Sequence, residues 1–130
     1  MTIFADTSAL VSLYSKTDPN HDKAIEIVKS HKEITFMISK YIFAEVVTIL
    51  SQKDSKKQSI IAGNILIGSY SWINTEKNIE NLAWEIFKKQ TSKNVSFIDC
   101  TTFALYKQGV FDKAFAFDQD FKSNKIPVLG

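Results

Sequence analysis

Short apolar runs, each followed by a stretch with helical spacing, do most to decide what this chain can fold into. Thr2 to Ala5 reads as a buried strand and Thr7 to Ser15 as a helix that starts at once behind Asp6. Pro19 suits the first turn of a helix running to about Lys32. Thr35 to Ile38 is a second strand, and Ser39 is placed to cap a helix through Ile49 or beyond. The polar stretch Lys53 to Ser59 turns the chain into another helix ending near Gly68, and Ser69 to Ile73 is a third strand. From Thr75 onward, Ile79, Leu82, Ala83, Ile86 and Phe87 mark one apolar helix face. Val95 to Ile98 leads into Asp99 and a helix through about Gln108, with Gly109 just past its end. Lys113 to Phe117 is a fourth strand, and Ile126 to Leu129 a short fifth.

Strands separated by helices require a mainly parallel sheet covered on both faces. The fold class expected is therefore α/β, a three-layer α/β/α sandwich around four to five strands. Its 130 residues suit one domain with a real core, and 45% apolar content excludes a disordered chain. No uncharged apolar stretch is long enough to span a membrane, and Asp6 interrupts the first apolar run where a signal peptide would need continuity. A lone cysteine, Cys100, makes no internal disulfide, which points to the cytoplasm. With four glycines (63, 68, 109 and 130), the chain has no glycine-rich phosphate loop. A nucleotide-binding doubly wound domain is disfavoured on that ground.

The sheet directs attention to its acids, because ligands of parallel sheets bind outside the carboxyl ends of the strands. Asp6 and Asp118 both fall at such ends in the expected layout. Asp6 can be read as a helix cap or as a ligand, and its neighbours Thr7 and Ser8 would cap equally well. Glu45 shares a helix face with Tyr41, Ile42, Thr48 and Ile49, which is not a solvated face; the alternative is a rim residue with its head in water. Asp99 sits where an apolar segment meets a helix and, taken alone, reads as a cap. Asp118 ends the fourth strand, with Asp120 auxiliary to it.

Gathered together, Asp6, Glu45, Asp99 and Asp118 would repel one another unless a cation joined them. Their hard oxygen donors select Mg²⁺ or Mn²⁺ over zinc or copper. Such a centre supports metal-assisted attack of water on a phosphodiester, with no covalent enzyme intermediate. The net charge of +2 says little by itself, but 16 lysines against the ten remaining acids leave +6 outside the centre. That balance suits an approaching polyanion. Because the chain has no arginine, phosphate contacts would be lysine point charges or neutral hydrogen bonds.

The segments Ile3 to Leu10, Ser39 to Leu50, Ser96 to Leu105 and Ala114 to Phe121, in this order and spacing, resemble a PIN domain, the small nuclease fold of VapC-type toxins. Ser96-Phe-Ile-Asp-Cys and Phe115-Ala-Phe-Asp-Gln-Asp-Phe121 are the most specific parts. The resemblance implies an acidic pocket at the carboxyl edge of the sheet and metal-dependent endoribonuclease activity. It also implies an RNA substrate, inhibition by a cognate antitoxin, and a homodimer. Carried over by position, Asp6, Glu45, Asp99 and Asp118 form the acidic quartet, with Ser8 as the small hydroxyl beside the first aspartate. Thr102, one helical turn beyond Asp99, is auxiliary on the same pocket.

Rival readings are a non-catalytic binding module that keeps the fold, and a phosphatase using Asp6 as nucleophile. The second lacks the acid expected two positions on, where Ser8 stands. His21 and His31 read as surface residues and Cys100 as a packed helix residue; Lys53, Lys56 and Lys57 could meet RNA, with a solvated turn the preferred reading. Trp72, Trp84 and the phenylalanines are expected at core spacing rather than as a stacking platform for bases. Asp112 reads as a turn residue.

Overall fold

The computed structural model describes residues 1–129. Its sheet consists of β1 (Ile3–Ala5), β2 (Phe36–Ser39), β3 (Ser71–Ile73) and β4 (Lys113–Phe115), in the order β3-β2-β1-β4. All three pairings are parallel, with Ile3 opposite both Phe36 and Lys113. Helices α1 (Thr7–Tyr14) and α2 (His21–Ser30) link β1 to β2, and α3 (Lys40–Lys53) and α4 (Lys56–Ser69) link β2 to β3. The return from β3 to β4 runs through α5 (Lys77–Lys89) and α6 (Phe97–Lys107); α7 (Gln119–Ser123) follows β4.

Right-handed crossovers put helices of opposite travel on opposite faces. Steps from β1 to β2 to β3 move one way and the step to β4 moves back, so α1–α4 cover one face and α5–α6 the other. The packing agrees: α1 lies on α2 and α3, α3 on α4, and α5 on α6. Ile3, Phe4 and Ala5 of the central strand are wholly buried, as both-face coverage requires. Phe115 packs on Phe36 with ring centroids 5.3 Å apart, and Phe4 on Phe111 at 5.2 Å.

Several boundaries differ from expectation for identifiable reasons. Pro19 lies ahead of α2, which is preceded by Asn20. The expectation for α4 holds: it ends at Ser69, one residue past Gly68. Gly109 does follow the end of α6 and takes φ +75°, the left-handed conformation that glycine adopts at low cost. β4 ends at Phe115, so Asp118 stands beyond the strand, after Ala116 and Phe117. The expected fifth strand reduces to one parallel bridge between Ala114 and Val128. Helix α6 starts before Asp99: Ser96 is its N-cap, and Asp99 is its third residue.

Candidate active site

Asp6 is held by the sheet itself. Its backbone N–H donates to the Phe115 carbonyl at 2.9 Å, extending the β1–β4 pairing by one rung. Its Oδ2 accepts from the Ser8 backbone N–H at 3.1 Å and from Ser8 Oγ at 2.7 Å, capping α1. Ser8 Oγ also accepts from the Phe117 N–H at 3.1 Å, so this hydroxyl joins Asp6 to the segment that carries Asp118. Asp118 caps α7 in the same manner, accepting from the Asp120 N–H at 2.9 Å. Asp99 forms a reciprocal capping box with Ser96, each accepting from the other's backbone N–H at 3.0 Å.

The cap and ligand readings are therefore compatible, because a carboxylate has two oxygens. In Asp6 the second oxygen, Oδ1, is buried without a hydrogen-bond partner. Buried polar atoms are nearly always satisfied, so an orphaned carboxylate oxygen calls for water or a cation. Thr7 Oγ1 and Thr102 Oγ1 are orphaned and buried in the same way. Thr102 lies one turn beyond Asp99 on α6 and is wholly buried.

Electrostatics tie the four acids together. Burial raises Asp6 to about 7; Asp99 and Asp118 push the same way, against the hydrogen bonds from Ser8. Asp99 is raised to about 6, again chiefly by burial, with Asp118 and Glu45 adding to it. Glu45 lies half-buried on α3. Tyr41, one turn before it, donates its hydroxyl to Glu80 and so fixes the start of α3 against α5. Asp120 is also raised, by desolvation and then by its neighbour Asp118.

The fold thus brings the fields of Asp6, Glu45, Asp99 and Asp118 onto one another. It does not close them into a rigid cage: among the described residues, no three His, Cys, Asp or Glu side chains form a ready coordination sphere. Magnesium-type ions tolerate this, since they keep several waters and take one or two carboxylates. All-oxygen donors, an orphaned Asp6 Oδ1 and carboxyl pKa values raised by burial and by the neighbouring carboxylates fit a hard divalent cation. Asp6, Asp99 and Asp118 are the residues that could hold such an ion, with Glu45 able to contribute directly or through water.

Residues outside the quartet divide clearly. Cys100 is buried and its thiol is pushed up to about 11 by burial and by Asp99, which leaves it protonated and inert. His21 and His31 each turn Nδ1 to a backbone carbonyl, of Ser12 and Ile27 respectively. Asp112 accepts from the Thr2 N–H at 2.8 Å and ties down the start of the chain. The aromatic expectation needs correction for Trp72, Trp84 and Phe87, which are 42%, 52% and 36% exposed. Sequence reasoning also missed lysines at Asp118. One concavity beside it is lined by Lys23 and Lys122. A second, also reaching Asp118, is lined by Lys53 together with Thr7 and Ser8. These lysines are far apart in sequence, so no local signal announces them.

Comparison with known proteins agrees with this geometry. The chain is 27% identical over 122 residues to the 23S rRNA-specific endonuclease VapC20 of Mycobacterium tuberculosis, covering 93% of this chain and 92% of that one. The crystal structure of VapC20, described as a Sarcin-Ricin loop cleaving toxin, matches with a TM-score of 0.87 at 25% identity, over 96% of each chain. VapBC2 from Rickettsia felis, bound to a DNA fragment from their promoter, matches at 0.70 and 15% identity, over 98% of this chain and 97% of that one. FitAcB from Neisseria gonorrhoeae matches at 0.69 and 16%, over 99% and 97%. These last two likenesses concern the fold alone. The sequence model of the family described as PIN domain spans residues 3–126, nearly the whole chain. With that match, the parallel sheet and the placement of the acids at its edge, the chain belongs to the PIN domain family.

Proposed function

We propose that this protein is a one-domain endoribonuclease that hydrolyses RNA phosphodiester bonds with a divalent cation, Mg²⁺ or Mn²⁺, as the toxin of a toxin–antitoxin pair. The observation that carries the reading is the set of interacting carboxylates, with one oxygen of Asp6 buried and unpartnered. The likeness to VapC20, described as an rRNA-specific endonuclease and as a toxin, supports RNA as substrate.

When bound, the cation would supply charge neutralisation at the phosphate and lower the pKa of attacking water. The chain's own groups do the rest. Asp6, Asp99 and Asp118 would hold the cation through carboxylate oxygens, and each is oriented by the hydrogen bonds it makes at the start of a helix. Ser8 holds Asp6 and the Phe117 backbone in one register, which fixes the distance between the β1 and β4 contributions. Glu45 stands at the edge of the group, able to accept a proton from incoming water. The water oxygen would bond to phosphorus as the P–O bond to the leaving ribose oxygen breaks, that oxygen taking a proton from solvent, and no enzyme–phosphate bond forms.

An antitoxin partner follows from the toxin reading, and a second copy of the chain is assigned as the homodimeric partner. An exposed apolar stripe on α4 supports association: Ile60, Ile61, Ile65 and Ile67 are 55%, 44%, 39% and 62% exposed. Among the described residues no helix is long and apolar enough to cross a membrane; the cytoplasm is the assigned compartment.

The test is incubation of the purified protein with ribosomal RNA in Mn²⁺ and in EDTA. Discrete RNA fragments in Mn²⁺ and none in EDTA are expected. RNA binding without fragments under any divalent cation would favour the non-catalytic module instead.

A further inference from the structure

The two concavities beside Asp118 share Phe117 and Asp118 and no other lining residue, so they flank that pair separately. Lys23, from α2, and Lys122, from α7, line the first. Lys23 Nζ sits 5.4 Å from the centre of the Phe117 ring, which holds the ammonium beside the acids without neutralising it. Lys53, at the end of α3, lines the second.

Exposed lysines next to carboxylates would ordinarily close ion pairs. Here they do not: among the described residues the one ion pair within 4.0 Å joins Lys88 to Glu85, well away in sequence on α5. Asp18, the other acid of the second concavity, is already engaged. Its Oδ1 accepts from Ser12 Oγ and from the Asn20 N–H, both at 2.8 Å. All three lysines are exposed. Exposed cations therefore stand in both concavities that meet at Asp118.

A single RNA strand has the matching pattern, with one negative charge per nucleotide. Its scissile phosphate would meet the acids through a divalent cation, while the flanking phosphates need cations of the protein's own. We propose that Lys23 and Lys122 on one side of Asp118, and Lys53 on the other, are the phosphate grips of one RNA strand crossing the acidic centre. The inference rests on the nuclease reading above. It adds which residues bind the substrate. Because lysine is a point charge, these grips hold backbone without reading bases.

The experiment is equilibrium binding of a fluorescein-labelled single-stranded RNA in EDTA, from low to moderate salt. Wild type, Lys23→Ala/Lys122→Ala, Lys53→Ala and the control Lys107→Ala are compared, with thermal midpoints confirming that each folds. Lys107 lies in the separate cleft between α5 and α6. Removing one lysine that neutralises a phosphate lowers the magnitude of the log K against log salt slope by about 0.7. The double variant is therefore expected to lose about 1.4, Lys53→Ala about 0.7 and Lys107→Ala nothing. In Mn²⁺, KM for RNA cleavage should rise about tenfold in the double variant with kcat little changed. Unchanged slopes, or equal losses in Lys107→Ala, would overturn the proposal, as would a wild type that fails to bind RNA. Altered slopes with no cleavage by wild type would uphold the grips and sink the nuclease reading. Cleavage with unaltered slopes would do the reverse.

Discussion

Asp99→Asn should lower RNA cleavage by about 10³-fold while the protein folds as well as wild type. The two halves of this expectation come from different oxygens. Asparagine keeps a carbonyl that can accept from the Ser96 N–H, so the capping box at the head of α6 survives. What is lost is negative charge in a centre where Asp118 and Glu45 already bear on the same side chain. A residue that only caps a helix would give a variant with normal activity and slightly altered stability. The measurement is initial rate in Mn²⁺ beside a thermal midpoint. Activity within a few-fold of wild type would remove Asp99 from the centre and with it the site as drawn.

The second large effect is on stability and needs no substrate. Asp6 stands near 7 and Asp99 near 6 in the folded protein, against an ordinary 3.8. Raised carboxyl groups mean that the folded state binds more protons than the unfolded state over this range. Stability is thus greatest below about pH 4 for these two groups and is lost as pH rises through 6 and 7. A tenfold change in an acid's dissociation constant corresponds to about 1.4 kcal/mol; with allowance for coupling and solvent, the loss is about 3 kcal/mol. In EDTA the thermal midpoint should fall by about 10 °C between pH 5 and pH 8. Asp6→Asn should flatten that slope, since it removes the larger contribution and retains a good N-cap. A wild-type midpoint that rises or stays level over this range would show that the folded protein does not raise these two carboxyl groups by burial and by their neighbours.

Much of this was legible from residues alone, for particular reasons. The strands were visible because Ile3-Phe-Ala and Phe36-Met-Ile are short, apolar and flanked by helical spacing. Parallel pairing followed, since no turn between them is short enough for a hairpin. Strand ends were less legible. Ala116 is buried and apolar like its neighbours but stands outside the ladder, so the Ala114 to Phe117 run looked longer than the strand is. On α5 the period placed Ile79, Ala83 and Ile86 correctly inside, while Phe87, next in the row, fell at the exposed rim.

At the site, sequence singled out the acids but posed cap and ligand as alternatives, which the structure makes compatible. Asp6, Asp99 and Asp118 each use one oxygen at a helix start, so a cap signal says nothing about the other oxygen. Only the fold reveals that Asp6 Oδ1 is left buried and alone. Asp99 was misplaced by a few residues because the apolar Phe97 and Ile98 resembled a strand end; they are the first turn of α6. The placement of lysines beside Asp118 was not legible, because Lys23, Lys53 and Lys122 come near it only through the fold, although the sequence itself offers Lys53 as a residue that could meet RNA.

All of these effects trace to one claim, that the four acids form a single centre for a divalent cation. Calorimetric titration of Mn²⁺ into the protein at pH 8 tests it most directly, without RNA or activity. Wild type should bind Mn²⁺ saturably, and the Asp6→Asn/Asp99→Asn double variant, folded by its thermal midpoint, should not. Identical binding by the two proteins, or none by wild type, would contradict the account.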